Sequence, residues 1–216
     1  MRVYQRLWLN VNLSDGVNMN GNVLPEGKMT NYRVTDWSCW PKPLIDLNTV
    51  KKFNQHIKQN FDREELEQSG AHRDGKLLKN IKPKIILLKK MPYDYKDVIE
   101  LAFYTQRQFY GYNLYPYNGW DGLLYNTYSS NVKAHYGAHY DRASYPLSTS
   151  TKLTFLLNLS EGEYEGGDLI VDNAKTPFRE PGSGILFKSE LMHEVPPVTK
   201  GERITLTYFM EGPRFQ

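Results

Sequence analysis

Apolar residues recur along this chain with two different periods, and the change between them divides it. Leu44, Leu47, Val50, Phe53, Ile57 and Phe61 fall three or four positions apart, which predicts an amphipathic helix over 44–61. A second helical pattern covers Tyr93–Phe109, with Val98, Leu101, Ala102 and Phe109 on one face and Asp94 or Asp97 near its start. Between them, 68–82 reads as a polar loop and Ile85–Leu88 as a short buried strand. Residues 1–43 read as irregular, with short extended pieces rich in Asn, Gly and Trp.

After about residue 110 the period falls to two. Short apolar or alternating runs occur at Leu123–Tyr128, Val132–Tyr136, Lys152–Leu159, Asp168–Val171, Gly184–Phe187 and Ile204–Met210. Glu161-Gly162, Gly166-Gly167, Pro181-Gly182 and Lys200-Gly201 mark turns between them. Many short strands joined by tight turns predict an antiparallel sandwich or barrel. The expected fold class is α+β, a double-stranded β-helix (jelly-roll) core with the N-terminal helices packed on one sheet. One domain spans 1–216, with 1–110 a helical elaboration and 111–216 the jelly-roll catalytic core.

Composition narrows the function. The 16 Tyr and 4 Trp suit sheet faces and wet pockets, since each ring carries a polar tip. A formal charge of +3 from interspersed Lys, Arg, Asp and Glu lacks the concentrated basic face of a nucleic-acid binder. One cysteine, Cys39, excludes an internal disulfide and a cysteine-based zinc cluster. The first residues lack the apolar core of a signal peptide, and no run nears the ~18 apolar residues of a membrane span. The expectation is a soluble, cytoplasmic protein with no nucleic-acid or membrane partner.

The chemistry gathers in the β half. His139-Tyr140-Asp141 places an imidazole and a carboxylate two residues apart, on one face of an extended segment. With His193 they make a 2-His-1-carboxylate set, which leaves positions open on an octahedral iron(II) ion. A structural zinc site would close its shell with four ligands. His56 reads as a surface residue, and His135 as a core residue or an outer neighbour of the site rather than a ligand. Ten residues beyond His193, Arg203 and Thr205 alternate along one strand face, where a guanidinium grips a carboxylate through paired hydrogen bonds.

His139-x-Asp141…His193 with Arg203-x-Thr205 resembles the 2-oxoglutarate- and iron(II)-dependent dioxygenases, in particular their prolyl 4-hydroxylase-like branch. Tyr136 in a Tyr-x-x-His-x-Asp run, Gly166-Gly167-Asp168-Leu169 and Pro181–Phe187 match that branch as well. The resemblance covers about 120–212. Arg203 stands where many prolyl 4-hydroxylases carry lysine, and Thr154–Leu157 lacks the tyrosine some members place there, so Tyr128 is a candidate substitute. The resemblance implies iron(II) on His139, Asp141 and His193, 2-oxoglutarate held by Arg203, Thr205, Tyr128 and Tyr136, dioxygen as oxidant, and ascorbate as an auxiliary reductant. It implies hydroxylation of a C–H bond, with a prolyl residue of a protein or peptide as the leading substrate. The alternatives are a small-molecule hydroxylase acting on a free amino acid and a non-catalytic jelly-roll binding module. The loops Gly111–Gly122, with Tyr112, Tyr115, Tyr117 and Trp120, and Arg142–Thr151 are candidate substrate loops.

Overall fold

The computed structural model describes residues 36–40, 42–60, 72–73, 76–77, 84–88, 96–117, 123–141 and 150–213. In chain order its elements are β1 (Trp37–Cys39), α1 (Leu47–Asn60), β2 (His72–Arg73), β3 (Lys76–Leu77), β4 (Lys84–Leu88), α2 (Lys96–Phe109), β5 (Leu123–Ser129) and a 3-10 turn (Ser130–Val132). They continue with β6 (Tyr136–His139), β7 (Thr151–Asn158), β8 (Glu165–Gly166), β9 (Ile170–Val171), β10 (Ala174–Lys175), β11 (Gly184–Lys188), β12 (His193–Val195), β13 (Val198–Lys200) and β14 (Glu202–Glu211).

Both predicted helices form. The first begins at Leu47 rather than 44 because Asp46 caps it, its Oδ1 accepting from the Thr49 N–H at 2.7 Å. Val50, Phe53 and Ile57 are buried, whereas Leu47, in the first turn, is exposed. The second helix buries Val98, Ile99, Ala102 and Phe103. Together they cover one face of a six-stranded sheet ordered β1-β11-β7-β14-β5-β4. The two outermost strands of that sheet, β1 and β4, come from the N-terminal half of the chain.

A period of two sorts this sheet's side chains. Leu153, Phe155 and Leu157 of β7, Leu206, Tyr208 and Met210 of β14, and Leu123 and Tyr125 of β5 all face the helices. The alternate positions, among them Tyr128, Leu156 and Phe187, face inward against Leu169, Val171 and Val195. Their partners lie on and around a four-stranded sheet ordered β10-β9-β12-β6. Two antiparallel sheets enclosing an apolar interior, with helices outside the larger one, are the α+β jelly roll expected from the pattern. Because helices cover one face and the second sheet the other, all eight residues of β7 are buried.

Two expectations need correction. The run at Val132–Tyr136 is not a strand: Ser129 Oγ accepts from the Asn131 N–H, the chain turns through Ser130–Val132, and Lys133 sits at φ 49°. That left-handed residue breaks the extended path, Val132 is exposed, and β6 begins only at Tyr136. Within 68–82, expected to be loop, β2 and β3 pair as a short hairpin. Among the described residues no helix is long and apolar enough to cross a membrane.

Candidate metal centre and co-substrate pocket

The second sheet brings the histidines together. β12 pairs antiparallel with β6 so that His193 lies directly opposite His139, and β12 carries an irregularity just beyond. The two rings stand 4.1 Å apart between centroids. Asp141, two residues past His139, completes the group. Its Oδ1 is 3.5 Å from His139 Nε2 and its Oδ2 is 3.4 Å from His193 Nε2. One ligand atom from each of the three residues falls within 4.8 Å of the others.

The backbone orients both imidazoles. His139 Nδ1 is 2.8 Å from the Gly137 carbonyl, and His193 Nδ1 is 3.0 Å from the Leu191 carbonyl. A carbonyl accepts only, so each Nδ1 donates its N–H there and each Nε2 is left facing Asp141 and the space a metal would take. Thr154 Oγ1 on β7 donates to Asp141 Oδ2 at 2.5 Å, fixing the carboxylate from the sheet side. Two nitrogens, one carboxylate and no fourth ligand among the described residues suit a six-coordinate iron(II) ion that keeps positions for other ligands. His135 stays outside this group, with its Nδ1 on the Lys133 carbonyl, and His56 is exposed on α1.

Charge in the cluster is self-consistent. Burial opposes ionisation of Asp141, but His193 and His139 outweigh it and hold the carboxyl far below the usual carboxylate range. Burial likewise works against a charged His193, yet Asp141 overcomes it and raises the imidazole above its ordinary value of 6.5. In the metal-free protein a proton therefore stays on His193 to a higher pH than on a free imidazole, and metal must displace it. Titration of the apoprotein with a divalent metal should show affinity falling as pH is lowered through neutrality, ahead of the fall for an unperturbed histidine site. An affinity flat from pH 8 to 6 would contradict this coupling.

Arg203 lies on β14 opposite Tyr128 of β5. It is 1% exposed, and its Nε and Nη2 have no hydrogen-bond partner among the described residues. The guanidinium rests 4.9 Å from the Tyr128 ring centroid and 5.9 Å from that of Phe178. A buried cation with orphaned donors is costly, so the arrangement suits an anionic partner. Burial pushes the Tyr128 phenol up despite the neighbouring guanidinium, and burial also raises Tyr136. Both hydroxyls keep their protons and can donate.

Gly167, at φ +61°, lies beside the Arg203 stem, and Gly166, at φ +71°, lies against the Pro197 carbonyl. A Cβ on Gly167 would stand 2.6 Å from Val198 Cγ2 and 3.2 Å from Arg203 Cδ. Gly167→Ala should lower stability by about 1–3 kcal/mol through backbone strain and crowding, measured by thermal unfolding. It should also weaken anion binding at Arg203; wild-type stability and anion affinity together would refute this packing.

The three candidate metal ligands and Arg203 line one cavity. The seven residues singled out from the sequence, His139, Asp141, His193, Arg203, Thr205, Tyr128 and Tyr136, all border it. So do Thr154, Asn126 and Thr207, which sequence reasoning passed over. Parity with Arg203 marks Thr207, and parity with Tyr128 marks Asn126; nothing in sequence ties Thr154 to Asp141. Of the candidate substrate loops, Tyr112 and Tyr117 pack against the helix-side core and Tyr115 is exposed. That segment caps the opposite face of the sheet from the cavity. Trp120 and 142–149 lie outside the described residues.

Residues 123–211 match the 2OG-Fe(II) oxygenase superfamily. A PKHD-type hydroxylase of Sphingopyxis alaskensis is 40% identical over 85 residues, which is 36% of this chain and 39% of that protein. A PKHD-type hydroxylase of Prochlorococcus marinus is 34% identical over 95 residues, 42% of this chain and 41% of that protein. The chain spans roughly two fifths of the length of the curated relatives it matches. The crystal structure of a Pseudomonas putida prolyl-4-hydroxylase superposes with a TM-score of 0.61 at 19% identity, covering 82% of this chain and 93% of that one. The stretch from β5 to β14 is thus similar to the 2OG-Fe(II) oxygenase superfamily, and the chain shares the fold of that prolyl-4-hydroxylase.

Proposed function

We propose that the protein is a 2-oxoglutarate- and iron(II)-dependent dioxygenase that hydroxylates a C–H bond, a prolyl residue of a protein or peptide being the favoured target. One observation carries this reading: the buried guanidinium of Arg203, with Nε and Nη2 lacking hydrogen-bond partners among the described residues, shares a cavity with the His139–Asp141–His193 group. A metal-binding module alone has no use for a buried anion clamp. The superfamily match supports 2-oxoglutarate as the co-substrate, and the likeness to PKHD-type hydroxylases and to a prolyl-4-hydroxylase supports a prolyl target.

His139 and His193 would offer Nε2, and Asp141 one oxygen, to iron(II). Bound there, iron supplies the redox chemistry that couples decarboxylation of 2-oxoglutarate to succinate with transfer of one oxygen atom of dioxygen to the substrate carbon. The protein's own work is placement. Arg203 pairs with the distal carboxylate of 2-oxoglutarate through charge-assisted hydrogen bonds, with the Thr205 and Tyr128 hydroxyls alongside. Thr154 and the two backbone carbonyls keep the metal-binding atoms aimed inward. Leu156, Leu169, Phe187 and Val195 wall the cavity with hydrocarbon and limit water in it.

The test is to incubate protein with iron(II), ascorbate as reductant, 2-oxoglutarate, air and proline-containing peptides. Oxygen-dependent succinate, and peptides heavier by one oxygen atom in mass spectrometry, are expected. No succinate above the metal-free control would defeat the proposal, and hydroxylation of a free amino acid in place of peptides would redirect its substrate.

A further inference from the structure

Besides those of Arg203, another buried donor lacks a hydrogen-bond partner among the described residues: the indole N–H of Trp37. This residue is 6% exposed and lies on β1, outside the stretch 123–211 that matches the superfamily. A buried indole donor normally finds an acceptor, and one left unpaired costs the desolvation of its N–H. Phenylalanine would pack among the same apolar neighbours without that cost, so packing alone does not explain the tryptophan.

Register ties the indole to the metal group. Trp37 is the cross-strand partner of Phe187, Phe187 of Thr154, and Thr154 of Phe209. One row of side chains therefore crosses the inner face of the six-stranded sheet. Phe187, Thr154 and Phe209 border the cavity. Phe187 meets the His193 ring edge-on at 4.8 Å between centroids, and Thr154 holds Asp141. Trp37 packs in the inner cluster with Phe187 and Leu156, and because β1 is an outermost strand it closes the row at the rim of the sheet. Arg203 and Phe209 stand at opposite ends of the inner face of β14. A co-substrate clamped between Arg203 and the metal leaves this row to the target.

The chemistry of the donor indicates what it reads. An indole N–H is neutral and donates only, so an amide carbonyl suits it. A chain passing through proline lacks the N–H there but keeps its carbonyls, and a protein that holds such a chain has to supply donors. Given the prolyl-peptide target proposed above, we infer that Trp37 is a target-binding residue, its Nε1–H donating to a main-chain carbonyl of the peptide at the metal-ligand end of the cavity. It grips the backbone rather than the carbon to be oxidised. It therefore sets peptide affinity, and leaves both co-substrate binding and the conversion of bound peptide unchanged.

The experiment compares wild type with Trp37→Phe and with protein carrying 3-benzothienylalanine at position 37, in which sulfur replaces the N–H within a ring of the same shape. The probes are the proline-containing peptides of the assay above, with iron(II) protein, 2-oxoglutarate and air. Loss of one neutral hydrogen bond should raise the peptide KM roughly three- to tenfold in both proteins, with kcat and calorimetric 2-oxoglutarate affinity near wild type. Without peptide, the benzothienyl protein should melt no lower than wild type, because no bond within the protein is lost. A lower melting temperature there would show that the protein itself satisfies the N–H, and would overturn the assignment. An unchanged peptide KM would overturn it too, as would weakened 2-oxoglutarate binding, which would move the residue to the co-substrate. A wild type that binds 2-oxoglutarate but converts no peptide would instead overturn the target reading on which the inference rests, a distinguishable failure.

Discussion

Arg203→Met should separate binding from stability: 2-oxoglutarate affinity falls at least about a hundredfold, while the ligand-free protein melts at a higher temperature. The affinity loss follows from removing two or more charge-assisted hydrogen bonds, each worth about 1.5–3 kcal/mol. The stability gain has the same origin. The guanidinium is 1% exposed, and two of its nitrogens have no hydrogen-bond partner among the described residues. A buried charge without compensation is destabilising, and an apolar side chain of similar length is often neutral or better by about 1–4 kcal/mol. For a chain of this size that corresponds to roughly 2–4 °C per kcal/mol. Differential scanning calorimetry with and without 2-oxoglutarate reads both effects. Wild type should gain melting temperature from the ligand and the variant should not. A variant that melts lower than wild type without ligand would show that the arginine is satisfied by the protein alone.

His193→Ala carries the other large effect. It removes one of two nitrogens from the candidate centre and also the nearest counter-charge of Asp141. Outer neighbours of metal ligands typically cost about 10–100-fold when lost, so removing a ligand outright should cost iron(II) affinity at least about a hundredfold. Circular dichroism should still report a folded chain. The side chain borders the cavity and, among the described residues, hydrogen-bonds to the Leu191 carbonyl alone apart from its contact with Asp141. Iron binding at wild-type strength in this variant would place the metal elsewhere.

Much of this arrangement is legible in the chain because it is written in short periods. His139 and Asp141 lie two residues apart, Arg203 and Thr205 likewise, and both separations select one face of extended backbone. The helices show in the same way, from Val50, Phe53 and Ile57 or from Val98 and Ala102. Pairing is what local pattern cannot carry. That Tyr128 stands opposite Arg203, or Thr154 opposite Phe209, depends on which strands meet and in what register. Thr154 was invisible for that reason, whereas strand parity with Arg203 and with Tyr128 does point to Thr207 and Asn126. Strands of two or three residues, such as β8, β9, β10 and β12, are too short to show a period at all. The misplaced strand at 132–136 has a different cause. Its composition is permissive, and the turn is imposed by the Ser129 cap and the left-handed Lys133, which hydrophobic spacing does not register.

The claim on which the account depends is that the metal group and the anion clamp serve a single ligand. Anaerobic titration of the iron(II)-loaded protein with 2-oxoglutarate, followed by visible absorbance, addresses it directly. A 2-oxo acid bound at iron(II) should produce a saturable absorbance band that needs both components, vanishes in His193→Ala, and in Arg203→Met requires far more 2-oxoglutarate to develop. A band that saturates identically with and without Arg203, or no band in a protein shown to hold iron, would contradict it.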